Sequence, residues 1–239
     1  SMYSFRYVLL MGDIGIASLQ VNKTISAGEG GAVYTNDKKL FERAVRFHDV
    51  GGIRSPHTEW LGTTTEEPFI GVNYRMNEFT GAVLLAQIRK LPRIASDMRA
   101  VAKRVYVGIA DLPKLELRKL PDPSGELGSA VFLGFPGKAL RDKFMAAMKA
   151  ENVPVGPPGG SVILPLQSHI IAKRAPHAKW PTWNSPEGRA VKYGPEASPQ
   201  TLRVLDRFAG VSLDPKMSEA DTRDVVAAIR KVYPAVMGT

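Results

Sequence analysis

Short apolar runs rich in β-branched residues alternate with stretches of helical period along this chain, and that alternation restricts the fold more than any other feature. Ile14 to Gln20 reads as a buried strand, bounded by Gly12-Asp13 and Asn22-Lys23. A polar, glycine-rich loop follows, then a second strand from Gly31 to Thr35. Asp37 caps a helix through Phe47 whose apolar side is Leu40, Phe41, Ala44, Val45 and Phe47. Gly51 to Pro68 reads as a loop, with Trp60 its one large aromatic. Asn77 to Leu91 has the clearest helical pattern, Pro92 closes it, and a second helix runs from Arg93 to about Ala110.

Further on, strands are expected at Leu115–Leu117, Ala130–Phe135 and Val211–Leu213. Helices are expected at Lys138–Lys149, with Leu140, Phe144, Met145 and Met148 inward, and at Gln200–Phe208. A last helix is opened by Ser218 and Asp221 in capping-box spacing and runs through Tyr233. Gly156 to Gly160 reads as a rigid turn, and the proline-rich stretch 173–199 as an irregular excursion. The pattern is α/β, and Pro92 divides it into residues 1–92 and 93–239.

The absence of cysteine removes disulfides, thiolate metal sites and a cysteine nucleophile. Four scattered histidines without an HExxH pair argue against a zinc enzyme, so no metal is expected. The net charge of +9 raises the question of nucleic acid. Acids are interleaved with the basic residues throughout, however, and the densest stretch, Arg89 to Arg104, reads as a solvated helix face. No nucleic-acid partner is expected; a phosphorylated small molecule accounts for the charge more simply. No segment reaches the roughly 18 apolar residues of a membrane span, and Met2–Met11 lacks the pattern of a secretory leader. The expectation is a cytoplasmic protein without membrane contact.

Chemistry concentrates between Gly12 and Gly31. A single lysine, Lys23, follows a buried strand and precedes Gly28-Glu-Gly-Gly31. Partial desolvation there would favour the neutral amine, a nucleophile towards carbonyls. The glycines permit positive φ and a close approach to a planar ligand or another chain. The same pattern suits a lysine stem lying along a strand end beside an ordinary tight turn, and the residues alone leave both readings open.

The run Ser18-(x)4-Lys23-(x)4-Gly28-Glu-Gly-Gly31, then Thr35-Asn-Asp37, then Gly71-Val-Asn-Tyr-Arg-Met-Asn-Glu78, resembles the DegT/DnrJ/EryC1/StrS family of PLP-dependent sugar aminotransferases. The resemblance extends from about Gly12 to the C-terminus. It implies the C-terminal portion of a fold type I transferase, with a remnant of the large PLP-binding domain in residues 1–92 and a small α/β domain in 93–239. Lys23 would hold pyridoxal 5′-phosphate as a Schiff base and move a proton between Cα and C4′. Ser18 matches the serine that bonds the cofactor phosphate. Gln20 stands where many members have histidine, a feature of branches acting on cyclic ketones. Asn73 matches the asparagine that reaches the phosphate of a neighbouring subunit, which implies a homodimer. The substrates implied are Glu or Gln as donor and a keto-sugar or cyclitol ketone as acceptor.

Simpler roles exist for each residue: Ser18 satisfying a strand-edge group, Asn73 capping the helix near Asn77, Arg75 pairing with Glu78, His48 lying on the surface. Trp60, Trp180 and Trp183 fall in expected loops, where they would wall a pocket or fill an interface. Family members carry a long segment ahead of the lysine, holding most of the sheet, the phosphate cradle and the acid that pairs with the pyridine nitrogen. Asp13 is the only acid before Lys23. The expectation is therefore an aminotransferase portion completed by a further half, on another chain or lost, with a sheet edge and an apolar face uncovered. The alternatives are a catalytically dead family fragment acting as a dimerising or ligand-binding module, and a phosphate- or nucleotide-binding module.

Overall fold

The computed structural model describes residues 2–4, 6–158 and 163–239. The chain divides into two compact units, one of residues 1–97 with 120–127, the other of residues 98–119 with 128–239. The division falls within a helix, between Asp97 and Met98, and the short return at 120–127 belongs to the first unit.

The first unit opens with a two-residue pairing of β1 (Met2–Tyr3) and β2 (Arg6–Tyr7). β3 (Gly15–Ser18) and β4 (Gly31–Tyr34) then form an antiparallel hairpin in which Ser18 faces Gly31. Ile16 is 73% exposed and Val33 52%, so apolar hairpin surface lies uncovered. α1 (Lys38–His48) begins at Asp37, whose carboxylate accepts from the Leu40 amide at 2.9 Å. α2 (Ser55–Leu61) occupies the stretch expected to be loop. Its Pro56 sits in the first turn, where a missing N–H costs nothing and the fixed φ suits a helix.

α3 (Glu78–Ile88) is capped by Asn77, whose side-chain oxygen accepts from the Thr80 amide at 2.9 Å. Its apolar residues fall on every side and none is buried; Phe79 is 87% exposed. α4 (Leu91–Ile109) follows, and Pro92 lies in its first turn rather than at the end of the preceding helix.

One buried ion pair ties the first unit together. Glu42 and Arg46, both on α1, are enclosed, and both Nε and Nη2 of Arg46 donate to Glu42 Oε1. The same carboxylate accepts from the amides of Thr65 at 2.9 Å and Glu66 at 3.0 Å, while Arg46 Nη2 donates to the Glu66 carbonyl at 2.7 Å. The pair thus meets its hydrogen-bonding needs and pins the returning chain to α1.

The second unit holds a four-stranded antiparallel sheet of β5 (Glu116–Leu117), β6 (Ala130–Gly134), β7 (Val155–Gly156) and β8 (Phe208–Ser212), in the order β5-β6-β8-β7. α5 (Lys138–Ala150), the short helices α6 (Ser168–Ile171), α7 (Pro181–Asn184) and α8 (Pro186–Ala190), α9 (Pro199–Arg207) and α10 (Glu219–Met237) complete it. Two of the short helices, α7 and α8, lie in the stretch expected to be irregular. Phe208 begins β8 opposite Gly134 instead of ending a helix, because the ladder to β6 extends through it. Gly156 belongs to β7, paired with Gly210; residues 159 and 160 of the expected turn lie outside the described residues.

Alternation sends Val131 and Leu133 inward, against Val105 and Ile109 of α4, Phe144 and Met148 of α5, and Ile229 and Tyr233 of α10. On the other face, Phe132 covers Gly210, where a Cβ would stand 2.7 Å from the ring. The Tyr233 hydroxyl donates to the Lys114 carbonyl at 2.9 Å, so even this buried ring keeps a polar partner. Ser218 and Asp221 form the capping box expected of them.

Two measurements follow from this architecture. Phe144→Ala should destabilise the second unit by about 3–5 kcal/mol in denaturant unfolding, since the ring packs on Phe135 and Tyr233 with no route to collapse. The Thr65 amide, against an opposing cost of burial and helped by Glu66 and Arg46, holds the Glu42 carboxyl down to about 2, below its ordinary 4.5. The folded value lies under the unfolded one, so the stabilisation is complete above about 4.5 and disappears as pH falls towards 2. Melting curves of the unsubstituted chain and Glu42→Gln should therefore differ at neutral pH and converge through that window.

Candidate active site

Leu19, 3% exposed, anchors the connection between β3 and β4. Its amide donates to the Gly30 carbonyl at 2.9 Å, and its carbonyl accepts from the Ala27 amide at 3.0 Å and the Ser26 hydroxyl at 3.2 Å. Gly28 and Gly30 have φ of +89° and +147°, the left-handed geometry expected of this run. Three candidate residues surround Leu19. Ser18 is exposed at the end of β3, with its Oγ accepting from the Gln20 amide at 3.4 Å. Gln20 is half-buried, and its side-chain oxygen accepts from the Asn22 amide at 3.4 Å. Lys23 closes a turn on the Gln20 carbonyl at 2.9 Å and is exposed. The expected desolvation of Lys23 is thus corrected: burial ends at Leu19, and the polar turn carries the lysine into solvent.

Asn73 lies elsewhere in the same unit, on a segment that crosses the end of α1. The Val72 amide donates to the Phe47 carbonyl at 2.8 Å, Tyr74 to His48 at 2.9 Å, and Val50 to Val72 at 3.1 Å. The crossing is made by two glycines. A Cβ on Gly71 would lie 2.6 Å from the Gly51 amide nitrogen and 2.7 Å from the Phe47 carbonyl oxygen, and Gly51 itself has φ +95°. Asn73 does not cap α3, the role taken by Asn77; its side-chain oxygen accepts from the Arg75 amide at 3.3 Å.

Beneath this crossing lies Asp49, 1% exposed and bridged to Asn73 through the backbone. Its Oδ1 accepts from Arg75 Nη1 and, at 3.1 Å, from Arg54 Nε. Arg75 therefore pairs with Asp49 rather than Glu78. Burial pushes the Asp49 carboxyl up, but the Arg75 hydrogen bond and the neighbouring positive charges outweigh it and hold it below its usual range. His48, half-buried rather than on the surface, places Nδ1 2.6 Å from the Val45 carbonyl. His57 of α2 stands 5.9 Å from the His48 ring and 5.2 Å, edge-on, from Trp60. Trp60 is thus a helical residue in edge-to-face contact with a histidine. Trp183 donates from Nε1 to the Tyr193 hydroxyl at 3.2 Å.

A groove of about 780 Å³ runs between the hairpin and α1, lined by Ile16, Gly31 and Val33 on one side and Phe47, His48 and Tyr74 on the other. None of Ser18, Gln20, Lys23 and Asn73 lines it. Among the described residues no cluster of His, Asp or Glu could hold a metal ion. No described helix is long and apolar enough to cross a membrane.

The sequence profile of the DegT/DnrJ/EryC1/StrS aminotransferase family matches residues 1–157. The chain belongs to that family. It is 28% identical over 251 aligned positions to the L-glutamine:2-deoxy-scyllo-inosose aminotransferase of Micromonospora echinospora, covering 97% of this chain and 55% of that protein. It is 38% identical over 102 residues to the GDP-perosamine synthase of Escherichia coli O157:H7, covering 43% of this chain and 26% of that protein. Among solved structures, the aminotransferase TlmJ from Streptoalloteichus hindustanus superposes with a TM-score of 0.70 at 18% identity, over 99% of this chain and 56% of that one. The fold is that of part of a fold type I aminotransferase, and the chain spans about half the length or less of these relatives.

The family's cofactor can be tested against the hairpin. An exposed primary amine at Lys23 suits an aldehyde, and the exposed Ser18 hydroxyl, engaged only at 3.4 Å, suits a phosphate. A Cβ on Gly28 would meet nothing within 4 Å, so there is open space beside the loop. The hairpin thus offers an amine and a hydroxyl of the types that the cofactor's aldehyde and phosphate would need. Asp13 instead uses its backbone carbonyl, which accepts from the Thr35 hydroxyl at 2.7 Å and ties down the base of the hairpin.

Sequence reasoning did not find Asp49, Arg54 or His57 as a cluster. The signal available was a lone acid after the α1 histidine, followed by a basic residue and a second histidine before Trp60. Gly71→Ala should destabilise the first unit by about 1–3 kcal/mol, because the nearest atoms in its way are all backbone. Circular dichroism melts of this variant against Gly81→Ala, an open helical position, provide the comparison.

Proposed function

We propose that this chain carries part of the active site of a pyridoxal 5′-phosphate-dependent aminotransferase, acting on a keto-sugar or cyclitol ketone with Glu or Gln as amino donor. The observation that carries the reading is the single hairpin connection that presents Ser18, Gln20 and Lys23 around the buried Leu19. The Lys23 Nζ would take the cofactor aldehyde, and the same amine, once released, would move the proton between Cα and C4′. The Ser18 hydroxyl would donate to the phosphate, and the Gln20 amide would lie beside the ring. When bound, the cofactor supplies the electron sink that makes amino transfer possible. Gln20 and the likeness to a scyllo-inosose aminotransferase both support a cyclic ketone as acceptor.

The first compact unit is the remainder of the large cofactor-binding domain in this proposal, and the second the small domain. Asn73 would reach the phosphate of a second subunit in a homodimer. α3 supports that reading: an all-round apolar helix with no buried residue requires a covering surface. The solvent exposure of Lys23 favours a second reading, in which the chain is a catalytically dead family fragment acting as a dimerising or ligand-binding module.

Incubation with the cofactor, borohydride reduction and peptide mapping separate the two. The catalytic reading expects the pyridoxyl group on Lys23, and Lys23→Ala should reduce labelling to the level of surface lysines. Label scattered over surface lysines in the unsubstituted chain would support the module instead.

A further inference from the structure

We propose that Asp49 is the positioning residue for the segment that carries Asn73, acting through Arg75; the proposal rests on the reading of Asn73 given above. Three pieces of the first unit meet at Asp49. Its backbone ends α1 and bridges Asn73. Its carboxylate takes Arg75, two residues beyond Asn73, and Arg54, the residue that enters α2. A buried carboxylate without partners is costly, so its enclosure demands that the arginines stay. Holding the Arg75 guanidinium limits the freedom of residues 73–75, where the Asn73 side chain already accepts from the Arg75 amide.

The second carboxylate oxygen adds an independent observation. Asp49 Oδ2 and His57 Nδ1 are both buried, both lack a hydrogen bond, and face each other across 3.8 Å. Arg54 Nε lies 3.0 Å from Oδ2 but off the line that a hydrogen bond needs. With its proton on Nδ1, His57 is the donor that Oδ2 lacks. Asp49 would then clamp α2 on one oxygen and the Asn73 segment on the other. None of this requires the hairpin, so the clamp is separable from the lysine chemistry.

The test compares the unsubstituted chain, Asp49→Asn, Arg75→Gln and the double variant. Amide hydrogen exchange at Val50, Val72 and Tyr74 should quicken by roughly tenfold or more in each single variant, with the β3–β4 amides unchanged. The double variant should add little, because both substitutions break one contact. Arg75→Lys, which keeps the charge, should restore most of the protection. Retention of pyridoxal 5′-phosphate should fall by a similar factor while the visible absorption of the Lys23 imine keeps its position, a split that general loosening would not produce. Unchanged protection in Asp49→Asn, or effects that simply add, overturns the proposal. If Asp49→Asn unfolds the unit, Arg75→Gln at its half-exposed site decides alone. Should the unsubstituted chain take no pyridoxyl group on Lys23, the reading of the site fails, and the exchange data still decide Asp49.

Discussion

The first unit depends on a place where the chain crosses itself with no side chain between. Gly51 and Gly71 bring two backbone segments so close that amide and carbonyl groups occupy the space a Cβ would need. That contact fixes the path from α1 back towards α3. The Val72 and Tyr74 amides then find carbonyl partners at the end of α1, and Asn77 arrives where it can cap the next helix. The polar groups beneath the crossing follow from it. Asp49 is enclosed because the segment passes over it, and enclosure is what makes its two arginines obligatory.

The two units solve the burial problem differently. In the second, alternating residues of β6 and β8 meet helices α4, α5 and α10, and the core is closed around Phe135, Phe144 and Tyr233. In the first, enclosed ionic contacts such as Glu42 with Arg46 stand out, while the hairpin face and α3 keep their apolar side chains in solvent. A buried ion pair fixes geometry well and contributes little net stability, whereas apolar burial does the reverse. The first unit is thus ordered largely by polar contacts, with apolar surface left exposed.

Local chemistry was the most legible part of the sequence. Asp37 and the Ser218–Asp221 box mark their helix starts because capping involves residues only three apart. The hairpin was legible from its glycines, and the motif around Lys23 pointed to the family. What escaped was whatever depends on distant partners. Residues 51–68 read as loop and Pro92 as a helix end, although Pro56 and Pro92 each sit in a first turn where proline is welcome. Phe208 read as helix because its strand pairing is with Gly134, far away in the chain. Asp49 was invisible as a hub, since its three neighbours come from separate segments. The surroundings of Lys23 stayed open between two readings because the sequence does not reveal that the strand's burial stops at Leu19.

α3 has one further consequence. A helix with a single apolar stripe has its rotation about its own axis dictated by that stripe, which turns inward. In α3 the apolar residues surround the axis, and its one described side-chain anchor is the Asn77 cap at the first turn. Its azimuth is therefore weakly specified from within the chain. Any surface that covered it would select which side chains become core, because the apolar residues offer no single inward face.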